Sequence, residues 1–181
     1  MVATQRMTVD EFDQFVEKPE NAERLFEYIG GDIVEVVSNQ RSSEVTARIS
    51  GYLFIYLLQH PIGFLTSADG GYAIAGERYI PDVAFVSKAK QAEPSDQAYG
   101  LVPPDLAVEV LSPANDPDDM RIKVGNYLAV GTVVWIVNPI KKQVQVFVPG
   151  QPVQRIGLDG TIEGGDVLPG FRLAVKDIFP A

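Results

Sequence analysis

Apolar and polar residues alternate along the 181-residue chain with spacings that predict both helices and strands. One stripe with helical spacing comprises Val45, Ile49, Leu53 and Tyr56. It predicts a helix that begins at a cap on Ser42 or Ser43 and continues to about residue 59.

Two further helices are indicated by their capping residues. Thr8 and Glu11 form a capping-box pattern, and Pro19 ends the short helix that follows. Asp116 is a typical N-cap, and it predicts a helix that ends near Val130. Each of these helices carries apolar residues that can face a core.

The remaining apolar runs predict strands. A hairpin is expected over residues 25–37, because Gly30 and Gly31 separate two β-rich runs. Further strands are expected over residues 64–67, 71–75, 79–86, 105–111, 133–137 and 144–148. Residues 87–104 are polar and predict a loop, and the tail predicts short β segments. This order predicts an α/β or α+β fold with a mixed sheet, in a single domain over residues 1–181.

Composition and charge exclude several classes of protein. The chain has no cysteine, so disulfides, thiolate metal sites and cysteine nucleophiles are excluded. Its net charge of −9 argues against a non-specific nucleic-acid coat, which is normally basic. No apolar run approaches the ~20 residues of a membrane span, and no signal-peptide h-region is visible. We therefore expect a cytoplasmic protein without a membrane partner.

Motif searches exclude further classes of enzyme. His60 is the only histidine, so a multi-histidine zinc site is impossible and a Ser-His-Asp triad would have to use it. The P-loop, Rossmann and nucleophile-elbow glycine patterns do not occur.

Two carboxylates inside apolar strands are the strongest candidates for chemistry. Glu109 lies in the nearly continuous apolar run of residues 105–111, and Asp82 lies in the run 79–86. A carboxylate in such a strand is costly to bury unless it is paired or binds a cation. Carboxylate oxygens suit Mg²⁺, although a solvated strand end or a buried salt bridge would also account for either residue.

Lys123 is the third candidate. Its position relative to Met120 and Tyr127 places it near the core-facing side of its helix, where an ammonium group needs an anion. The alternative is that its stem packs while its charge reaches water. Glu27, Glu44 and Ser112 are weaker candidates, and capping or turn roles explain the last two more simply.

Several strings occur together in a recognisable order: FEYIGGDIVEV, YIPDVAFV, PPDLAVEVLSP, and K-x-x-x-Y-L-x-x-G followed by VVWIVNP. The chain resembles the Uma-type family of restriction endonucleases, assigned to the PD-(D/E)XK nuclease superfamily. The resemblance covers roughly residues 8–148, with a similar tail. It implies an α/β PD-(D/E)XK core, in which a mixed central sheet is flanked by helices.

The resemblance also implies roles for individual residues. Asp82 and Glu109 match the two acids of the motif and would bind Mg²⁺ or Mn²⁺ with the backbone carbonyl of Val110. Leu111 replaces the usual lysine of the superfamily motif, and Lys123 matches the lysine that this family carries on the next helix. Glu27 matches a glutamate of the first hairpin.

The expected activity is metal-dependent hydrolysis of DNA phosphodiester bonds, with a homodimer as the expected assembly. Two alternatives remain open from the sequence. One is a catalytically inactive nuclease fold that binds DNA or another partner. The other is a metal-independent hydrolase that uses Asp82 and Glu109 as acid and base on a sugar.

Overall fold

The computed structural model describes residues 6–179. Its helices are α1 (Val9–Val16), a 3-10 helix (Pro19–Asn21), α2 (Gln40–Gln59), α3 (Pro117–Ala129) and α4 (Val175–Ile178). Within the described residues, no helix is long and apolar enough to cross a membrane.

The helix starts largely follow the capping signals. The Thr8 hydroxyl accepts a hydrogen bond from the Glu11 N–H, and the Glu11 carboxylate accepts one from the Thr8 N–H, which confirms the capping box. Asp116 caps α3 as expected, because its carboxylate accepts a hydrogen bond from the Asp118 N–H.

Helix α2 begins earlier than the sequence indicates. Asn39 is its N-cap and accepts a hydrogen bond from the Ser42 N–H, so the expected cap at Ser42 or Ser43 is wrong. The Ser42 hydroxyl instead donates to the carbonyl of Leu111, 69 residues away, which a local pattern does not reveal.

Thirteen strands are present among the described residues. They are β1 (Phe26–Ile29), β2 (Asp32–Glu35), β3 (Gly63–Ser67), β4 (Gly71–Ile74), β5 (Glu77–Tyr79), β6 (Val83–Ser87), β7 (Tyr99–Gly100), β8 (Leu106–Val110), β9 (Val133–Asn138), β10 (Gln143–Phe147), β11 (Gln154–Ile156), β12 (Thr161–Glu163) and β13 (Arg172–Ala174).

The largest sheet has six strands in the order β11-β10-β9-β8-β6-β3. Strands β8 and β9 are parallel, and the other neighbours are antiparallel, so the sheet is mixed as expected. The two parallel strands are connected by α3, which is the crossover that a parallel pair requires.

A second sheet has the order β2-β1-β5-β4-β7. It contains the predicted hairpin, β1–β2, in which Gly30 and Gly31 both have positive φ, as a tight hairpin turn requires. The single strand expected over residues 79–86 is wrong. Proline has no N–H for a ladder, and the chain leaves one sheet and enters the other around Pro81.

The segments around the two sheets also differ from expectation. The loop expected over residues 87–104 contains β7, which pairs with β4. The tail contains the expected short strands, but it also forms the four-residue helix α4, which packs near α2.

The two faces of the six-stranded sheet bury different elements. Val83, Phe85 and Val108 point to a core shared with α2, whereas Ala84 and Ala107 point to a core shared with α3 and the second sheet. The α/β architecture, with a mixed sheet flanked by helices, is therefore confirmed.

Candidate functional site

A cavity of about 290 Å³ lies where the two sheets meet the first turns of α2 and α3. Glu27, Asp82, Glu109, Val110 and Lys123 all line it. The structure therefore brings together the five residues to which the resemblance assigns a role in the site.

Strand pairing places Asp82 and Glu109 opposite each other. Val83 of β6 is the register partner of Val108 of β8. Asp82 precedes Val83 and Glu109 follows Val108, so the same antiparallel register sets the two acids side by side. Opposed residues in an antiparallel pair project to the same face, which directs both carboxylates into the cavity.

Val110 contributes backbone groups to the same place. Its N–H donates to Oδ2 of Asp82 at 2.6 Å. In a strand, the N–H and C=O of one residue project to the same side. The Val110 carbonyl therefore faces the side of β8 on which Asp82 lies.

Lys123 is held between two glutamates. Its Nζ lies 2.8 Å from Oε1 of Glu27 and 2.8 Å from Oε1 of Glu109. The Lys123 side chain is only 4% exposed, so the alternative in which its charge reaches water is wrong. The ammonium also lies 5.5 Å from the ring centroid of Tyr79, within the range of a cation–π contact.

Glu27 links the second sheet to this charge cluster. Its Oε1 accepts a hydrogen bond from the Ile80 N–H at 2.6 Å and one from Lys123 at 2.8 Å. Ile80 belongs to the crossing between β5 and β6, so Glu27 fixes that crossing next to Asp82.

Burial dominates the electrostatics of the cluster. It raises the pKa of Glu109 to about 7, against the opposing charge of Lys123 and with further increases from Glu27 and Asp82. Burial likewise raises the pKa of Asp82, although the bond from the Val110 N–H and the charge of Lys123 oppose the rise. A bound cation would relieve the cost of ionising both acids.

Together, the charges around Lys123 affect its pKa more than burial does, so Lys123 stays charged. Burial alone lowers the pKa of its ammonium group, but the two glutamates together outweigh that effect and raise the pKa above its usual value. The cluster therefore contains a protonated lysine close to two acids, Glu109 and Asp82, whose raised pKa values make them difficult to ionise.

Sequence reasoning missed one side chain that supports this cluster. The Tyr127 hydroxyl donates to Oε1 of Glu109 at 2.9 Å, the same oxygen that Lys123 contacts. Tyr127 follows Lys123 by four residues, and residues i and i+4 share a helix face, so this spacing could have identified Tyr127 from the sequence. Asn126 and Tyr79 extend the polar contacts through a hydrogen bond of 2.6 Å.

The weaker candidates make local structural contacts. Glu44 pairs with Arg48 on the surface of α2. Ser112 lines the cavity, but its hydroxyl accepts a hydrogen bond from the Ala114 N–H in a turn. His60 stacks on Tyr56 at the far end of α2, about 30 Å of helix from the first turn that meets the cavity.

The cavity carries excess negative charge. Its acidic lining residues are Glu27, Glu35, Asp82, Glu109, Asp116 and Asp119, and its basic lining residue is Lys123. Nevertheless, across residues 6–179 no three His, Cys, Asp or Glu side chains form a group that could hold a metal ion. A cation here would have two carboxylates and a carbonyl as protein ligands.

Comparisons with known proteins identify the family and the fold. A family model described as "Uma2: Putative restriction endonuclease" matches residues 9–176. A solved structure described as "a putative nuclease belonging to DUF820 from Anabaena variabilis ATCC 29413" matches with a TM-score of 0.83 and 20% identity. The match covers 96% of this chain and 97% of that chain, and at this identity it shows a shared fold. No curated protein matches the chain.

Proposed function

Because the family model spans most of its length, the chain belongs to the Uma2 family of "putative restriction endonucleases", and we propose that it is a metal-dependent endonuclease that hydrolyses DNA phosphodiester bonds. The observation that supports this proposal best is the contact of Lys123 with Glu109 at 2.8 Å, in the cavity that Asp82 also lines. Two acids and a lysine in one pocket are the groups that metal-assisted phosphodiester hydrolysis uses.

The donor atoms suit Mg²⁺ or Mn²⁺. Carboxylates of Asp82 and Glu109 and the carbonyl of Val110 are hard oxygen donors. Mg²⁺ is usually held by one or two carboxylates, with water and phosphate oxygens completing its shell. Lys123 and Tyr127 both contact Oε1 of Glu109, so Oε2 is the oxygen that we assign to the cation.

The side chains of the cavity would have different functions in the reaction. A bound cation would neutralise charge on the scissile phosphate and lower the pKa of an attacking water. An ammonium group has three N–H donors, of which Lys123 directs two at Glu27 and Glu109. We assign the third to the attacking water or to a phosphate oxygen in the transition state. Glu27 anchors Lys123 for this role.

DNA is the proposed substrate despite the net charge of −9. Most of the acidic lining of the cavity would repel phosphate until a cation binds, which makes the cation a condition for substrate binding as well as for chemistry. This explanation predicts weak DNA binding in EDTA and a strong dependence on salt.

The test compares the wild type with Glu109→Gln and with Glu44→Gln, a matched change at a surface glutamate. Plasmid and linear DNA are incubated at low salt with Mg²⁺, Mn²⁺ or EDTA. We expect cleavage only with a cation, a loss of 10²-fold or more in Glu109→Gln, and wild-type cleavage in Glu44→Gln. Cation-independent cleavage, or equal cleavage by both variants, would contradict the proposal. Cation binding without any cleavage would favour the non-catalytic alternative.

A homodimer is the proposed assembly. Helix α2 exposes a second apolar face, formed by Phe54, Ile55 and Leu58, beside its buried one. Nothing lies within 4 Å of the position where Gly51 would carry a Cβ, so another helix could approach closely there. In a two-fold interface both copies use the same patch, and such a patch supplies the apolar centre of an interface of ~800 Å² per partner.

A further inference from the structure

Thr46 combines an inward position with an unsatisfied hydroxyl. Helix α2 buries Ser42, Val45 and Ile49, and Thr46 lies on the same side, where it lines the cavity. Among residues 6–179, Thr46 Oγ1 is the one fully buried side-chain nitrogen or oxygen atom without a hydrogen-bond partner.

Neighbouring hydroxyls on α2 show that a partner is available locally. The Ser50 hydroxyl donates to the Thr46 carbonyl at 2.9 Å, one helical turn back, and the Ser42 hydroxyl donates to the Leu111 carbonyl at 3.1 Å. The Thr46 hydroxyl makes no such bond. A buried polar group without a partner costs ~1–3 kcal/mol, and native proteins retain few of them without a reason.

The surroundings of Thr46 indicate what the hydroxyl serves. Thr46 and Asp82 line the same cavity, and the Thr46 hydroxyl opposes the rise in the pKa of the Asp82 carboxyl, although no hydrogen bond joins the two side chains. A third group that contacts both side chains would satisfy the Thr46 hydroxyl without a direct bond to Asp82. The cavity is polar and, at about 290 Å³, has room for water molecules.

We propose that Thr46 is a positioning residue whose hydroxyl holds a water molecule beside Asp82, in the outer ligand shell of the divalent cation. The inference rests on the proposed function, because it takes Asp82 as a cation ligand. Groups that orient ligands from this outer shell typically change metal affinity by 10–100-fold when they are removed.

The test uses Thr46→Val, which replaces the hydroxyl by a methyl group of similar size, and Thr46→Ser, which keeps the hydroxyl. Thr66→Val is the matched control, because the Thr66 hydroxyl is satisfied by the Tyr72 hydroxyl at 2.8 Å and does not line this cavity. Melting temperature is measured in EDTA, and the Mn²⁺ dissociation constant is measured by calorimetry.

We expect Thr46→Val to melt in EDTA close to the wild-type temperature, because the Thr46 hydroxyl makes no hydrogen bond to another protein group. Its Mn²⁺ affinity should fall 10-fold or more, while Thr46→Ser stays close to the wild type. Thr66→Val should show the reverse pattern, with a lower melting temperature and unchanged Mn²⁺ affinity. This opposite pair of responses is a signature that a purely structural role for Thr46 does not produce.

Two results would overturn the inference, and they differ in what else they affect. If the wild type binds Mn²⁺ and Thr46→Val binds it equally well, the positioning role is wrong and the proposed function stands. If the wild type and Glu109→Gln both fail to bind Mn²⁺, the proposed cation site and the role of Thr46 fail together.

Discussion

Nζ of Lys123 lies 2.8 Å from Oε1 of Glu109, and the two side chains are 4% and 6% exposed. The pair joins α3 to the centre of the six-stranded sheet, and Glu27 extends it to the second sheet. Because burying ions is costly, the pair contributes to stability chiefly by keeping each partner from being left alone. It is therefore both a candidate part of the chemistry and a condition for the fold.

Removal of the lysine charge should destabilise the protein strongly. Lys123→Met keeps an apolar stem of similar length but leaves Glu27 and Glu109 buried without their cation. Breaking a buried pair in this way costs roughly 3–5 kcal/mol, which urea unfolding in EDTA would measure. Because the Lys123 side chain is 4% exposed, its removal affects the core as well as the candidate site.

Arg121→Met is the control for that experiment. Arg121 lies on the same helix and pairs with Asp118, but its side chain is 75% exposed. An exposed pair is worth ~0–1 kcal/mol, so the free energy of unfolding should change little. The triple variant Lys123→Met, Glu27→Gln, Glu109→Gln should recover much of the loss, since neither glutamate then remains as a buried charge without its lysine. Equal losses in Lys123→Met and Arg121→Met would contradict the role assigned to burial.

Stability should fall as pH rises from about 4.5 to about 7 because of Glu109. Its folded pKa is raised from 4.5 to about 7 by burial, with Lys123, Glu27 and Asp82 as the charged neighbours. In that window the folded state binds more protons than the unfolded state, so the free energy of unfolding decreases with pH, by at most about 1.4 kcal/mol per unit for one group. Asp82 acts in the same direction.

Glu109→Gln isolates this contribution. The variant cannot titrate at position 109, so its stability relative to the wild type should increase between pH 5 and pH 7. The measurement is urea unfolding in EDTA at several pH values for both proteins. Parallel stability curves would show that Glu109 titrates near its ordinary pKa in the folded state.

Local patterns predicted the elements of this fold better than their pairing. The apolar run around Glu109 does form a strand that is buried along its whole length, and the hairpin at Gly30 is present. The sequence did not show which distant strands pair with each other. Residues 77–79 join β1, which lies about 50 residues away, because Pro81 interrupts the ladder and the Glu27 carboxylate accepts the Ile80 N–H.

The site was predictable where a residue conflicted with its surroundings. Asp82 and Glu109 are acids in apolar runs, and such conflicts mark functional positions. Thr46 gave no such signal, because a threonine is unremarkable on a helix face, and Tyr127 was indicated only by its spacing of four residues from Lys123. Their roles depend on what lies opposite them, and only the packing of α2 and α3 against β8 shows it.

Tyr127→Phe should weaken cation binding while the fold is retained. The tyrosine hydroxyl donates to Glu109, and hydrogen bonds to charged groups contribute ~1.5–3 kcal/mol. Its loss should raise the pKa of Glu109 further and reduce the Mn²⁺ affinity several-fold in calorimetry at pH 7. Tyr99→Phe is the control, because that hydroxyl donates to the Phe26 carbonyl at 2.6 Å. It should lower stability without a change in Mn²⁺ affinity.

Leu58→Asp should dissociate the proposed homodimer. Leu58 lies on the exposed apolar face of α2 and is 69% exposed, so an aspartate there costs the monomer little. Leu101→Asp is a matched control at a residue of the same exposure outside α2. Light scattering should find a dimer for the wild type and Leu101→Asp, and a monomer for Leu58→Asp. A monomeric wild type, or a dimeric Leu58→Asp, would contradict the assigned interface.

Asp82→Asn should separate stability from function most clearly. The asparagine carbonyl can still accept the hydrogen bond from the Val110 N–H, while the buried charge is removed. Since burial raises the pKa of Asp82, the ionised acid is costly in the fold, and the variant should be at least as stable as the wild type in EDTA. It should lose most of the Mn²⁺-induced rise in melting temperature and at least 10²-fold in DNA cleavage.

Asp105→Asn is the control from the other end of β6, where the Asp105 carboxylate accepts the Ser87 N–H at 2.7 Å and pairs with Lys90. That variant should keep both cation binding and cleavage, and if Asp82→Asn also kept them, Asp82 would not be a cation ligand.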